Sequence, residues 1–185
     1  ILAGDRLLNE AYVVLSEELQ KTDSKNLNKK LVVFNEFSKA VDRMIVGEYV
    51  DTEFEGKSIS EEYLEYIHIN KTGALLRLCV RMGAILAGAE NDDLKRLTSY
   101  AEKIGLAFQI KDDILSEEGN EEILGKPVGN DKQLEKCTYV SKYGLDKAKE
   151  ILNQIITEAI HDLEIYGEKA EFLINLAQYI QNRNK

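Results

Sequence analysis

Apolar residues recur at three- and four-residue intervals along almost the whole chain, the spacing that lines up side chains on one face of an α-helix. Leu2 to Leu19 carries the pattern, which stops at the polar stretch QKTDSKN. From Lys30 to about Val50, a second stripe runs through Leu31, Phe34, Phe37, Val41, Met44 and Ile45, predicting a second helix. DTEFEGKS reads as a loop. Ser60 is a predicted N-cap, with Glu61 and Glu62 suited to the positive end of the helix that follows. Gly73 is expected to interrupt that helix after HINKT, and the apolar run ALLRLCVRMGAILAGA resumes the pattern as a central element. Asn91 to Asp93 caps the next helix, whose stripe is Leu94, Leu97, Ala101, Ile104 and Phe108. A polar loop, a short segment at TYVSKYG, a helix from about Leu145 to Ile165 and a last one from about Glu168 to Ile180 complete the chain. With no strand set and no internal repeat, the prediction is an all-α bundle of roughly seven or eight helices, one domain over residues 1–185.

Composition narrows the function classes. At 185 residues with 44% hydrophobic and 31% charged residues, the chain can bury a single core and is an ordinary globular composition. Its net charge of -9 argues against general binding to nucleic acid or an anionic membrane, both of which want a basic face. No apolar run approaches the ~20 residues that span a bilayer, so no stable membrane insertion is expected. Cys79 and Cys137 are far apart with no Cys-x-x-Cys, which fits thiols in a reducing cytoplasm. The opening ILAGDRLLNEAYVVL has no Met and is helical in pattern from its first residues, so the parent protein is expected to continue before Ile1.

The stretch FQIKDDILSEEGNEEILGKPVGNDK, Phe108 to Lys132, is the candidate chemistry. On a helix, Gln109, Asp112, Asp113 and Ser116 project together. Two carboxylates, an amide and a hydroxyl form an all-oxygen set suited to a hard cation, and Mg²⁺ in particular is held by one or two carboxylates plus substrate phosphates. Lys126 could reach the same phosphates as a point charge. The competing reading is a pair of solvated acids near a helix end, although carboxylates there oppose the helix dipole. A Walker loop is excluded, because five residues separate Gly119 from Gly125 and Pro127 stands where Ser or Thr must ligate magnesium.

These residues closely resemble the second aspartate-rich region of the trans-isoprenyl diphosphate synthases, F-Q-x-x-D-D-x-x-D followed by a loop and G-K-x-x-G-x-D. Further segments resemble the family in order: ILAGDRLLNEAY, MIVGEYVDTEFEGK (its G-Q-x-x-D segment), KTGALLRLCVRMGAILAGA (its K-T-G helix) and CTYVSKYGLDKAKE. The nearest likeness is to bacterial farnesyl diphosphate synthases. The resemblance implies a terpenoid-synthase bundle around a deep cavity, and head-to-tail condensation of an allylic diphosphate with isopentenyl diphosphate. By the same resemblance Asp112 is a direct Mg²⁺ ligand and Asp113 its neighbour in the metal region. Lys71 and Lys126 contact the allylic diphosphate, Gln109 and Thr72 line the site, and Lys136 is a further lysine near it. A homodimer through the early helices is implied as well, and Leu2 to Leu19 or Leu31 to Val50, with Phe34 and Phe37 supplying extra apolar area, is the expected interface.

Three departures from the family pattern stand out. Ser116 replaces the third aspartate, and Glu48 stands where the family usually has Gln. No D-D-x-x-D occurs before Gln109, so the first aspartate-rich motif is missing and the chain reads as the C-terminal part of a synthase, inactive alone. A non-catalytic, synthase-like subunit that partners a catalytic chain is the alternative.

Overall fold

The computed structural model describes residues 1–57, 59–118 and 137–184. Among them eight α-helices run in the order α1 (Leu2–Gln20), α2 (Ser24–Glu53), α3 (Glu61–His68), α4 (Ala74–Ala87), α5 (Asn91–Glu118), α6 (Tyr139–Tyr143), α7 (Leu145–His161) and α8 (Glu171–Asn182). The all-α expectation holds. A π turn at Ile69–Gly73 joins α3 to α4, and a 3₁₀ segment at Glu164–Ala170 joins α7 to α8.

The helix starts follow from capping. The Asp23 carboxylate accepts the Asn26 N–H at 2.9 Å and opens α2 earlier than its apolar stripe indicates. Ser60 caps α3 as its position predicts, accepting the Tyr63 N–H at 3.3 Å. Thr138 and Ser141 form a reciprocal capping box that stabilises the short α6. Gly88, at φ 83°, ends α4 in the left-handed conformation that favours glycine.

Other boundaries also differ from the sequence reading: α2 runs on through Glu53, into the stretch read as a loop. The C-terminal pattern does not continue to Ile165, because α7 gives way after His161 to the 3₁₀ segment, inside which Gly167 adopts φ 55°. Gly73 does not interrupt its helix either; the chain passes through it at φ -57°. Its role is packing, since a Cβ on Gly105 of α5 would lie 2.8 Å from the Gly73 Cα. Bare backbone at both positions lets α5 cross the π turn in direct contact.

Helix α5 is the axis of the fold. Tyr100, Ala101, Ile104, Ala107, Ile110 and Ile114 are buried along it, against Ala148, Leu152, Ile156 and Ala159 of α7 and Ala177 and Ile180 of α8. Each large aliphatic side chain so buried contributes about 1.5–3 kcal/mol. The fully buried Tyr100 satisfies its hydroxyl by donating to the Leu173 carbonyl at 2.7 Å. A second, smaller cluster joins Phe37, Ala40 and Val41 of α2 to Ala74 and Leu78 of α4, with Leu8, Ala11, Tyr12 and Leu15 of α1 packed on it. Phe37 is therefore a core residue, its ring 4.8 Å from that of Tyr12, and not spare area for a partner. Leu27, Leu31, Val32, Ile45, Val46 and Tyr49 of α2 are exposed large apolar side chains.

Candidate functional site

Glycine at position 47 determines how close α2 comes to the π turn. A Cβ there would lie 2.3 Å from the Lys71 backbone nitrogen and 2.8 Å from the Asn70 carbonyl carbon, so only glycine permits this approach. Glu48 and Asp51, beside and one turn beyond it on α2, then reach the Lys71 ammonium at 2.9 and 2.7 Å. Burial pulls the Lys71 pKa down, but the hydrogen bonds and charges of Asp51 and Glu48 outweigh it and hold the ammonium above its ordinary value. Lys71 is thus a fixed positive charge within a π turn, an irregularity frequent at functional sites. Thr72, half-buried, follows it in the same turn. The Asn70 side-chain amide donates to the Tyr66 carbonyl at 2.8 Å.

The acidic end of α5 differs from its predicted layout. Gln109, Asp112, Asp113 and Ser116 were expected to look outward together; only Asp112 and Gln109 are half-exposed, while Asp113 and Ser116 are buried. The cause is coverage of this end by α6 and by the residue that follows α8. The Asp113 carboxylate accepts the backbone N–H of Tyr139, at the start of α6, at 2.8 Å. The Arg183 guanidinium donates to the Asp112 carboxylate and, at 3.1 Å, to the Phe108 carbonyl, and it stacks 4.1 Å from the centre of the Phe108 ring. Lys126 and Lys136 lie outside the described residues.

His68 joins the two groups. It is the last residue of α3, directly before the turn that carries Lys71, and its Nε2 lies 3.8 Å from an Asp113 carboxylate oxygen. Its ring stacks on that of Tyr139 at 5.5 Å. Nothing in the sequence marked His68 or Arg183 for the site, since their partners are distant along the chain; Asp51 falls at the aspartate of the segment resembling G-Q-x-x-D, but its pairing with Lys71 is visible only in the fold.

Burial pushes the His68 pKa down to about 4 from an ordinary 6.5, with Asp51 offsetting part of the effect. The unfolded chain therefore binds a proton between those values that the folded protein refuses, and stability must fall as pH drops through that window. The loss is on the order of 3 kcal/mol by pH 4. His68→Phe keeps a ring against Tyr139 and is expected to flatten the acid limb of a denaturant-midpoint-versus-pH curve; an unchanged limb would assign it to other groups.

Among the described residues no group of three or more His, Cys, Asp or Glu is placed to hold a metal ion. The donor chemistry still fits magnesium. Asp112 offers one half-exposed carboxylate that already engages a cation, and Mg²⁺ completes its shell from phosphates and water. Asp113, engaged by Tyr139 and facing His68, supports the end of α5. No described helix is long and apolar enough to cross a membrane.

Comparison with known proteins places the chain in a family. Residues 1–173 match the polyprenyl synthetase family model. The chain is 41% identical over its whole length to the farnesyl diphosphate synthase of Bacillus subtilis, covering 62% of that protein. It is 39% identical, again over its whole length, to the geranylgeranyl diphosphate synthase of Cyanophora paradoxa, covering 61% of it. Among solved structures, the geranyltransferase of Helicobacter pylori complexed with magnesium and isoprenyl diphosphate superimposes with a TM-score of 0.79 at 27% identity, over 98% of this chain and 59% of that one. The chain thus spans about three fifths of the length of the relatives it matches.

Proposed function

The chain belongs to the polyprenyl synthetase family, and from that premise we propose that the protein of which it forms at least part is a cytoplasmic trans-prenyltransferase. Its reaction joins an allylic diphosphate head to tail with isopentenyl diphosphate, dimethylallyl giving geranyl diphosphate and geranyl giving farnesyl diphosphate, with one diphosphate and one proton released at each condensation. The observation that supports this reading is a lysine held charged, Lys71, in the π turn that packs against α5, the helix that carries Asp112, a carboxylate that engages a cation. An anionic leaving group needs the first, and its metal counter-ion needs the second.

Magnesium, when bound, would neutralise the diphosphate as its bond to the allylic carbon breaks. The chain's own residues do the rest. Asp112 would hold the cation, and Lys71 presents a fixed charge to the phosphate oxygens from a turn held by Glu48 and Asp51. A charge placed in advance need not reorganise as the leaving group develops its own. Thr72, Gln109, Lys126 and Lys136 are the further substrate contacts. Through α1 and α2 the protein pairs as a homodimer, a reading supported by the exposed Leu31, Val32, Ile45 and Val46.

The test is to incubate the full-length protein with geranyl diphosphate, labelled isopentenyl diphosphate and Mg²⁺, and to chromatograph the products. Farnesyl diphosphate as the sole product is expected. A geranylgeranyl product would revise the chain length, and no condensation at all would overturn the assignment. Residues 1–185 alone carry one aspartate-rich stretch, so they are expected to show no turnover in the same assay.

A further inference from the structure

We propose that the crevice between α2 and α4, rimmed by Lys39, Arg43 and Arg77, is an anion site separate from the one that holds Lys71, taking a phosphate or diphosphate group directly on side-chain donors without a metal. The crevice has a volume of about 160 Å³, the liquid share of about five water molecules. Its depth follows from the sequence. Ala40 of α2 and Ala74 and Leu78 of α4 are buried on its floor, and the two alanines are short where the rim side chains are long. Lys39 and Glu48 are separated by about two and a half helical turns, so they leave α2 on opposite sides. The crevice therefore opens away from the side of α2 whose Glu48 holds Lys71.

Three cations around one small crevice run against the average of a chain with net charge -9. The acids beside them are already committed. Glu36, the carboxylate on the crevice wall, accepts from the Arg81 Nε at 2.7 Å, and Arg81 donates a further bond to the Thr98 hydroxyl at 2.6 Å. That hydrogen bond from Arg81 holds the Glu36 carboxyl below its ordinary value, and the charges of Arg81, Arg77 and Lys39 add to it against the opposing effect of burial. Glu102 accepts from the Arg77 Nε at 2.9 Å, which leaves the terminal N–H groups of that fork for a ligand. Among the described residues Lys39 and Arg43 make no side-chain hydrogen bond or ion pair. Guanidinium forks match phosphate oxygens two at a time, and an ammonium adds a point charge. A phosphate or diphosphate has oxygens enough to face all three cations, whereas a carboxylate presents two.

Equilibrium dialysis of labelled inorganic pyrophosphate against the full-length protein in excess EDTA tests the site, because binding through Asp112 requires a divalent cation and binding here does not. Saturable, metal-free uptake of one pyrophosphate per chain is expected. Lys39→Gln combined with Arg43→Gln is expected to weaken it by about tenfold or more, the size that follows from losing charge-assisted donors. Both side chains are exposed, so the helical circular dichroism and the Mg²⁺-dependent condensation rate of that variant should match the wild type. Lys39→Arg combined with Arg43→Lys, which keeps both charges, is expected to retain most of the binding. Asp112→Asn and Lys71→Gln are expected to leave it unchanged. Competition identifies the source of the anion: displacement by inorganic phosphate and geranyl diphosphate at comparable concentrations marks a free inorganic anion, and displacement by geranyl diphosphate at far lower concentrations marks a prenylated headgroup. No metal-free binding by the wild type, or binding that the Lys39→Gln, Arg43→Gln variant leaves unchanged, overturns the proposal, and loss in Lys71→Gln would then assign the bound anion to the other site.

Discussion

Asp112→Ala in the full-length protein is expected to lower turnover by roughly 10²–10³-fold, the usual cost of removing one preorganised electrostatic contact from a reaction that develops charge. Neither product length nor helical content should change, because the half-exposed Asp112 side chain is not part of either core cluster. The loss is expected in kcat more than in KM. The interaction with a departing diphosphate strengthens as its bond breaks, and an interaction made chiefly in the transition state appears in kcat. Asp112→Asn serves as the near-isosteric companion, retaining an oxygen while losing the charge. If both variants keep wild-type turnover across a magnesium titration, Asp112 is a structural partner of Arg183 and nothing more. Asp113→Asn makes the contrast. That carboxylate accepts the Tyr139 N–H and faces His68, so its replacement should move the denaturation midpoint first and the rate only as a consequence.

The contrast between these adjacent aspartates shows what was legible in the sequence. Periodicity gave the helices, since a stripe such as Leu94, Leu97, Ala101, Ile104 and Phe108 is a local property of the chain, and caps such as Ser60 are local too. Helical spacing alone cannot separate Asp112 from Asp113. Which one is covered depends on α6, whose Tyr139 lies 26 residues further along the chain from Asp113, and on Arg183 beyond the end of α8. The same holds for Lys71. Its position in a family-like K-T-G segment was readable, but the two carboxylates that keep it charged lie on a different helix, and only the fold brings them within 3 Å. Gly73 misled for a related reason. A glycine after a polar run reads as a helix break, whereas here the missing side chain serves contact with Gly105 while the helix continues through a π turn. Glycine reports a backbone requirement without saying which one.

Gly47→Ala is expected to be the most damaging glycine-to-alanine change among the described residues. The new Cβ would sit 2.3 Å from the Lys71 backbone nitrogen and 2.8 Å from the Lys71 Cα, against backbone that cannot rotate aside as a flexible side chain would. Two outcomes relieve the clash. Either α2 lifts off the π turn, opening the cluster of Phe37, Ala40, Val41, Ala74 and Leu78 that lies along the same pair of helices, or the π turn itself reforms and moves Lys71. Overpacking of this kind costs about 1–3 kcal/mol and more where backbone is involved, while alanine's better helix propensity returns only about 1 kcal/mol. A net loss of about 2 kcal/mol would lower the melting temperature by about 4–8 °C in a domain of this size. Activity should fall beyond what that stability loss explains, because separating α2 from the turn pulls Glu48 and Asp51 away from Lys71 and removes the contacts that fix its charge in place. Turnover measured well below the variant's own melting temperature isolates that effect. Gly83→Ala is the control, since a Cβ at that helical glycine meets nothing within 4 Å and should be neutral or slightly stabilising. If Gly47→Ala melts like Gly83→Ala and retains full turnover, then α2 does not depend on a bare backbone at that crossing, and the fixed position of Lys71 has another source.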